Sequence, residues 1–90
     1  MTEFEDIRIK IKTMPWEEAV TLLTAYIEKH PDDDGALTAR GMKYWGAGKR
    51  SLALNDYLAA IAVNPDSKAR QAYKASLEIL DYRNKDLYNP

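Results

Sequence analysis

The sequence predicts an all-α fold of stacked antiparallel helix pairs, five helices in all, and three features carry that prediction. Pro31 and Pro65 stand 34 residues apart, and the stretches ending at each, Trp16–Asp32 and Arg50–Asp66, share Ala19/Ala53, Ala25/Ala59, Ile27/Ile61, Pro31/Pro65 and Asp32/Asp66. Val20/Leu54 and Leu23/Tyr57 keep apolar character in the same alignment. Between these landmarks, apolar residues recur at helical spacing and are bounded by cap and stop signals. A fixed period of this length marks a repeat architecture, in which each unit is a helix pair that cannot bury its apolar face alone.

The first dozen residues admit two readings. Ile7, Ile9 and Ile11 alternate with Arg8, Lys10 and Lys12, as in a half-buried strand, whereas Phe4, Ile7, Ile11 and Met14 fall at helical spacing. The period requires a helix here to partner Trp16–Lys29, and a lone strand would have nothing to pair with; helix is the expectation for residues 3–13. Pro15 then sits where a first-turn proline is tolerated. The helix after it carries Trp16, Ala19, Val20, Leu23, Tyr26 and Ile27 and ends at His30-Pro31.

The run Asp32-Asp33-Asp34 starts the next helix, because an Asp side chain accepts the free N–H groups of a first turn and suits the positive end of the helix dipole. Its face is Leu37, Gly41, Tyr44 and Trp45, and Gly46-Ala47-Gly48 closes it, since glycine adopts the left-handed conformation at little cost. Arg50 or Ser51 opens a helix with Leu52, Ala53, Tyr57, Ala60 and Ile61 on one face, stopped at Asn64-Pro65. Asp66-Ser67 caps a last helix bearing Ala69, Tyr73, Leu77 and Leu80, with Asn84 as its expected stop.

Composition narrows the function. Ninety residues make one small domain with a thin core. Thirteen basic side chains nearly cancel fourteen acidic ones, so no net field favours nucleic acid, membrane or an anionic partner. The absence of cysteine excludes disulfides, thiolate metal sites and cysteine nucleophiles. No apolar run approaches the roughly 20 residues needed to span a bilayer, and the charged opening MTEFEDIRIK is unlike a secretory signal. A cytoplasmic protein is expected.

On these residues the chain resembles the tetratricopeptide repeat family. Counting Asp34 as the first position of a 34-residue unit, Leu37 falls at the fourth, Gly41 at the eighth, Tyr44 at the eleventh, and Gly48 in the interhelical turn. Ala53, Tyr57, Ala60 and Pro65 follow at the twentieth, twenty-fourth, twenty-seventh and thirty-second. The preceding unit matches only in its second half, through Ala19, Leu23, Tyr26 and Pro31, and Ile7 stands where the small eighth residue belongs. Arg40 departs from the usual large aliphatic residue at the seventh position; its stem is expected to lie on the neighbouring helix with its head in water. The resemblance implies a short right-handed solenoid with a degenerate first repeat over 2–33, a well-matched repeat over 34–67, a capping helix over 68–83 and a tail over 84–90. Small residues at Gly41 and Ala53 would let two axes come within about 8–10 Å.

The family binds peptides and proteins on its concave face; for this chain no cofactor or metal is expected. Carried over, that face comprises Thr38, Met42 and Trp45, with Ala72, Ser76 and Ile79 from the capping helix. In the carboxylate-clamp version, Lys and Asn on this face grip a partner's terminus; here Thr38, Ala39 and Met42 replace them, which leaves an apolar patch suited to an aromatic or aliphatic anchor. The plainer reading of Trp45 is that it packs on the capping helix or is covered by the tail, through Leu87 and Tyr88. A frayed terminus is the alternative for the tail. His30 is read as a helix-end residue and Asp32–Asp34 as a capping loop, because calcium loops interleave their acids around a glycine turn. The basic sets Arg8/Lys10/Lys12 and Lys49/Arg50 are too small to indicate nucleic acid. No phosphate loop, nucleophile–base pair or metal spacing occurs, so no catalytic residue is assigned. The expected function is that of a non-catalytic protein- or peptide-binding adaptor. The alternative is a structural homodimer that buries an exposed apolar edge, such as Ile7 and Ile11, with the groove covered by the chain's own tail.

Overall fold

The computed structural model describes the backbone of residues 3–88 and the side chains of residues 3–80. Five helices follow one another: α1 (Glu3–Ile11), α2 (Trp16–Lys29), α3 (Asp34–Gly46), α4 (Arg50–Val63) and α5 (Ala69–Tyr88). Spatial order follows chain order, since α1 packs on α2, α2 on α3, α3 on α4 and α4 on α5, with a smaller contact between α3 and α5.

The opening isoleucines lie in a helix. Ile7 and Ile11 point at α2 and are buried beside Ala19, Leu23, Tyr26 and Ala36, so they are already covered within the chain and offer no exposed edge. Ile9, on the far side of α1, is exposed. The end of α1 is held by α3, where the Lys43 ammonium donates to the Ile11 carbonyl at 2.9 Å. A cation near the last carbonyls of a helix is favourable for the same reason as a C-terminal lysine within it.

The starts and stops are built from the expected residues. Asp33 caps α3 by accepting from the Ala36 N–H at 3.1 Å, and the Ser67 hydroxyl accepts from the Ala69 N–H at 3.2 Å before α5. Gly48 has φ of +79°, the left-handed conformation that lets the chain reverse between α3 and α4. At α5 the expectation fails in one respect: the helix continues past Asn84 to Tyr88. Asparagine can end a helix but does not oblige it to, and no proline follows before Pro90. The expected docking of Leu87 and Tyr88 on Trp45 falls on side chains outside those described.

A second cluster joins α3, α4 and α5 around Leu37, Ala53, Tyr57, Ala60 and Ala69. Gly41 is its point of closest approach. A Cβ built there would stand 2.6 Å from Tyr57 Cε1, 2.9 Å from Tyr57 Cδ1 and 3.2 Å from the Ala53 carbonyl oxygen. Tyr57 is itself buried, so the ring has little room to give way. Two expected core positions lie outside: Leu52 is 47 % exposed and Leu77 41 % exposed. Each sits at the margin of its helix's apolar arc, where one step of about 100° turns a side chain from core to solvent.

Candidate functional site

The largest concavity among the described residues is a groove of about 720 Å³ bordered by α1, α3 and the start of α5. Thr38, Ala39 and Met42 line it from α3, Phe4 and Arg8 from α1, and Gln71 and Ala72 from α5. These helices present such a surface because their bulky apolar residues are spent elsewhere. Ala36, Leu37 and Gly41 face α2 and α4, which leaves the opposite face of α3 to Thr38 and Met42. Met42 is 60 % exposed, the most open of the large apolar side chains described. Acidic groups stand at the end where α3 and α5 begin, with Asp34 and Asp66 on the groove wall and Lys68 next to them.

The expected concave set is thus divided. Thr38, Met42 and Ala72 come together on the groove. Trp45 does not line it; the indole is half-buried against the second cluster, with the Arg50 guanidinium 5.1 Å from its ring centre. Ser76 is buried and donates its hydroxyl to the Ala72 carbonyl at 2.8 Å, so it faces inward. Ile79 is exposed but lies beyond the groove lining. The missed contributors are Phe4 and Arg8. Phe4 stood in the helical spacing of the first helix, but its place beside Gly35, with Cε2 3.0 Å from where a Cβ would be, depends on how α1 leans across α3.

The Phe4 end of the groove is held by a small polar cluster. Phe4 stacks on Tyr26 at 5.7 Å and Tyr26 lies 4.4 Å from the His30 ring. The Tyr26 hydroxyl donates to Asp33 Oδ2 at 2.7 Å. That hydrogen bond to a carboxylate, reinforced by burial and by the negative charges of Asp33 and Glu3, pushes the phenol pKa up to about 12. His30 closes α2 as expected and comes within 3.5 Å of Glu3, but both side chains are about half exposed, so the contact holds α1 weakly.

Arg40 corrects the sequence expectation outright. Its guanidinium is not in water: Nε donates to Asp56 Oδ2 at 2.8 Å, Nη2 to Asp56 Oδ1 at 2.7 Å, and Nη1 to Thr24 Oγ1 at 3.2 Å. Asp56 is 5 % exposed. One side chain on α3 thereby holds α4 through a fork-to-fork pair and α2 through a single hydrogen bond to Thr24. This contact raises the Arg40 pKa, against the desolvation that opposes it. An aspartate sixteen residues ahead was the available signal, since it falls on the helix that the period places beside Arg40.

The charge balance also hides an asymmetry. Residues 1–34 hold nine acidic and four basic side chains, whereas residues 35–80 hold three acidic and seven basic. Because neighbours in sequence are neighbours in space, α1 and α2 make an acidic end, and the basic excess is carried by α3, α4 and the first part of α5. Among the described residues, no group of three or more His, Asp or Glu is placed to hold a metal ion, and no buried side-chain polar atom lacks a hydrogen-bond partner. No described helix is long and apolar enough to cross a membrane. No protein-family model matches the chain, nor does any curated protein or solved structure.

Proposed function

We propose that this chain is a non-catalytic binding module of the tetratricopeptide kind, a cytoplasmic adaptor that holds a protein or peptide segment in the groove between α1, α3 and α5. The observation that carries the reading is Met42, a large apolar side chain more than half exposed in the largest concavity among the described residues, while Leu37, Tyr44 and Trp45 on the same helix are buried or half-buried. Methionine is unbranched and polarizable, which suits a surface that must adapt to an anchor residue. Phe4 and Ala72 extend the apolar floor, while Arg8, Lys68, Asp34 and Asp66 form a rim of both signs. An aliphatic or aromatic anchor seated on Met42, with flanking polar contacts, matches that arrangement.

The test is Met42→Glu, which places a charge on the floor without touching the core. Proteins recovered by the wild-type chain from its source cell are expected to be lost by this variant while its thermal melt stays unchanged. Equal recovery of every captured protein would remove the groove from consideration. Trp45→Ala is a poorer test, because the indole packs on the second cluster and its loss would reduce stability as well.

A further inference from the structure

A second concavity lies along the α4–α5 edge and adjoins the Met42 groove at Gln71, which lines both, without reaching Met42. It measures about 490 Å³ and is lined by Ile61 of α4 and by Arg70, Gln71, Tyr73, Lys74 and Leu77 of α5. Leu77 is 41 % exposed, and Leu58, one turn before Ile61, is 47 % exposed. We infer that this edge is a docking site for an amphipathic helix that carries a carboxylate within its apolar stripe.

The chain itself displays the precedent. Ile61 stands 34 residues after Ile27, and the inward face of α5 (Ala69, Ala72, Ser76) follows that of α3 (Ala36, Ala39, Lys43) at 33, so Arg70, Tyr73, Lys74 and Leu77 hold the places of Leu37, Arg40, Gly41 and Tyr44. At the earlier position a helix is already seated: Ile27 packs against the Leu37–Tyr57 cluster, and Arg40 receives Asp56 from α4. α4 is an amphipathic helix with one buried acid, and it fills the place whose repeat is open at the α4–α5 edge. Charge agrees with this. Arg70 and Lys74 are four residues apart on one helical face, and the Arg70 guanidinium is held by the Pro65 carbonyl at 3.1 Å. They stand in the basic part of the chain, so an acidic stripe is favoured over a basic one. The apolar wall of Ile61, Tyr73 and Leu77 supplies the burial that charge alone does not.

The probe is the chain's own seated helix: a fluorescein-labelled peptide of residues 49–64, acetylated and amidated, titrated against the full chain by anisotropy. Saturable binding is expected, with affinity reduced at least about tenfold by Leu77→Glu and about tenfold by Lys74→Glu. A peptide with Asp56→Lys is expected to recover most of that loss on the Lys74→Glu chain. Both positions are solvent-facing, and thermal melts of the two variants verify that they fold. Met42→Glu is expected to leave this binding unchanged, which separates the edge from the groove of the proposed function. Absence of saturable binding, or equal affinity for the wild-type and Leu77→Glu chains, would overturn the inference; the latter is also what simple exchange with the resident α4 would produce. Sedimentation showing that the chain self-associates through Leu77 would assign the edge to a second copy instead.

Discussion

Ile7 in the first helix pair and Gly41 in the second occupy the same place in the 34-residue period. The second pair closes by subtraction: with no side chain at position 41, the Tyr57 ring and the Ala53 backbone move into the vacated space. The first pair closes by insertion, with Ile7 and Ile11 acting as knobs against Ala19 and Leu23. Subtraction permits nested axes and a short, stiff contact, whereas insertion keeps the helices apart and relies on a nine-residue helix that would be marginal alone. One period thus yields a tight pair at the centre and a looser pair at the edge, and the Met42 groove lies where the looser edge leans over the tighter centre.

The largest effect is expected at the ion pair that joins α3 to α4 within the tighter pair. Asp56→Ala leaves the mostly buried Arg40 guanidinium with no counter-charge and only its hydrogen bond to Thr24, and is expected to cost about 3–5 kcal/mol in chemical denaturation. The double replacement Arg40→Met/Asp56→Leu should recover most of that loss, because an apolar pair of similar volume carries no desolvation penalty. Recovery would show that the pair sets which helices meet rather than adding net stability.

The two equivalent positions should then respond oppositely to volume. Ile7→Ala removes buried methyl groups and is expected to cost about 2–5 kcal/mol. Gly41→Ala adds one methyl into the Tyr57 ring and is expected to cost about 1–3 kcal/mol, and Gly41→Leu more. Were Gly41→Ala neutral or stabilising in urea melts, helix propensity would outweigh crowding and the contrast between the pairs would dissolve.

The smallest effect concerns the Tyr26–Asp33 contact at the Phe4 end. Tyr26→Phe is expected to cost about 1 kcal/mol near neutral pH. The folded-state pKa of Tyr26 is raised from 10.0 to about 12, so the neutral phenol is favoured by folding. The contribution is therefore fully present below pH 10 and is lost as pH rises towards about 12. Alkaline absorbance titration should show Tyr26 among the late-ionising phenols, with Tyr57, which burial and the neighbouring Asp56 also push up, and the late step should shrink in Tyr26→Phe.

Much of this fold was legible in the chain because helix pairs announce themselves locally. Pro31, Pro65, Gly48 and Asp33 act through their own backbone or nearest N–H, so their roles needed no tertiary knowledge. Gly41 and Ala53 were legible because a repeat states the same requirement at fixed offsets. Arg40 was not, since the family pattern has an apolar residue there and a buried ion pair depends on two residues appearing together. The site was read in part. Thr38 and Met42 follow from which face of α3 is left over, but Trp45 and Ser76 turn on a rotation of about one residue, and Phe4 enters only through the lean of α1. The charge asymmetry was countable all along; it was concealed by summing over the whole chain.

Residue-resolved native-state hydrogen exchange tests the contrast between the two pairs most directly. The slowest amides should lie at Arg40–Tyr44 and Asp56–Ala60, flanking the Gly41 contact, with those of α1 exchanging at least about tenfold faster through local opening. Equal protection of α1 and the α3–α4 pair would contradict the account, because the edge and the centre would then unfold as one.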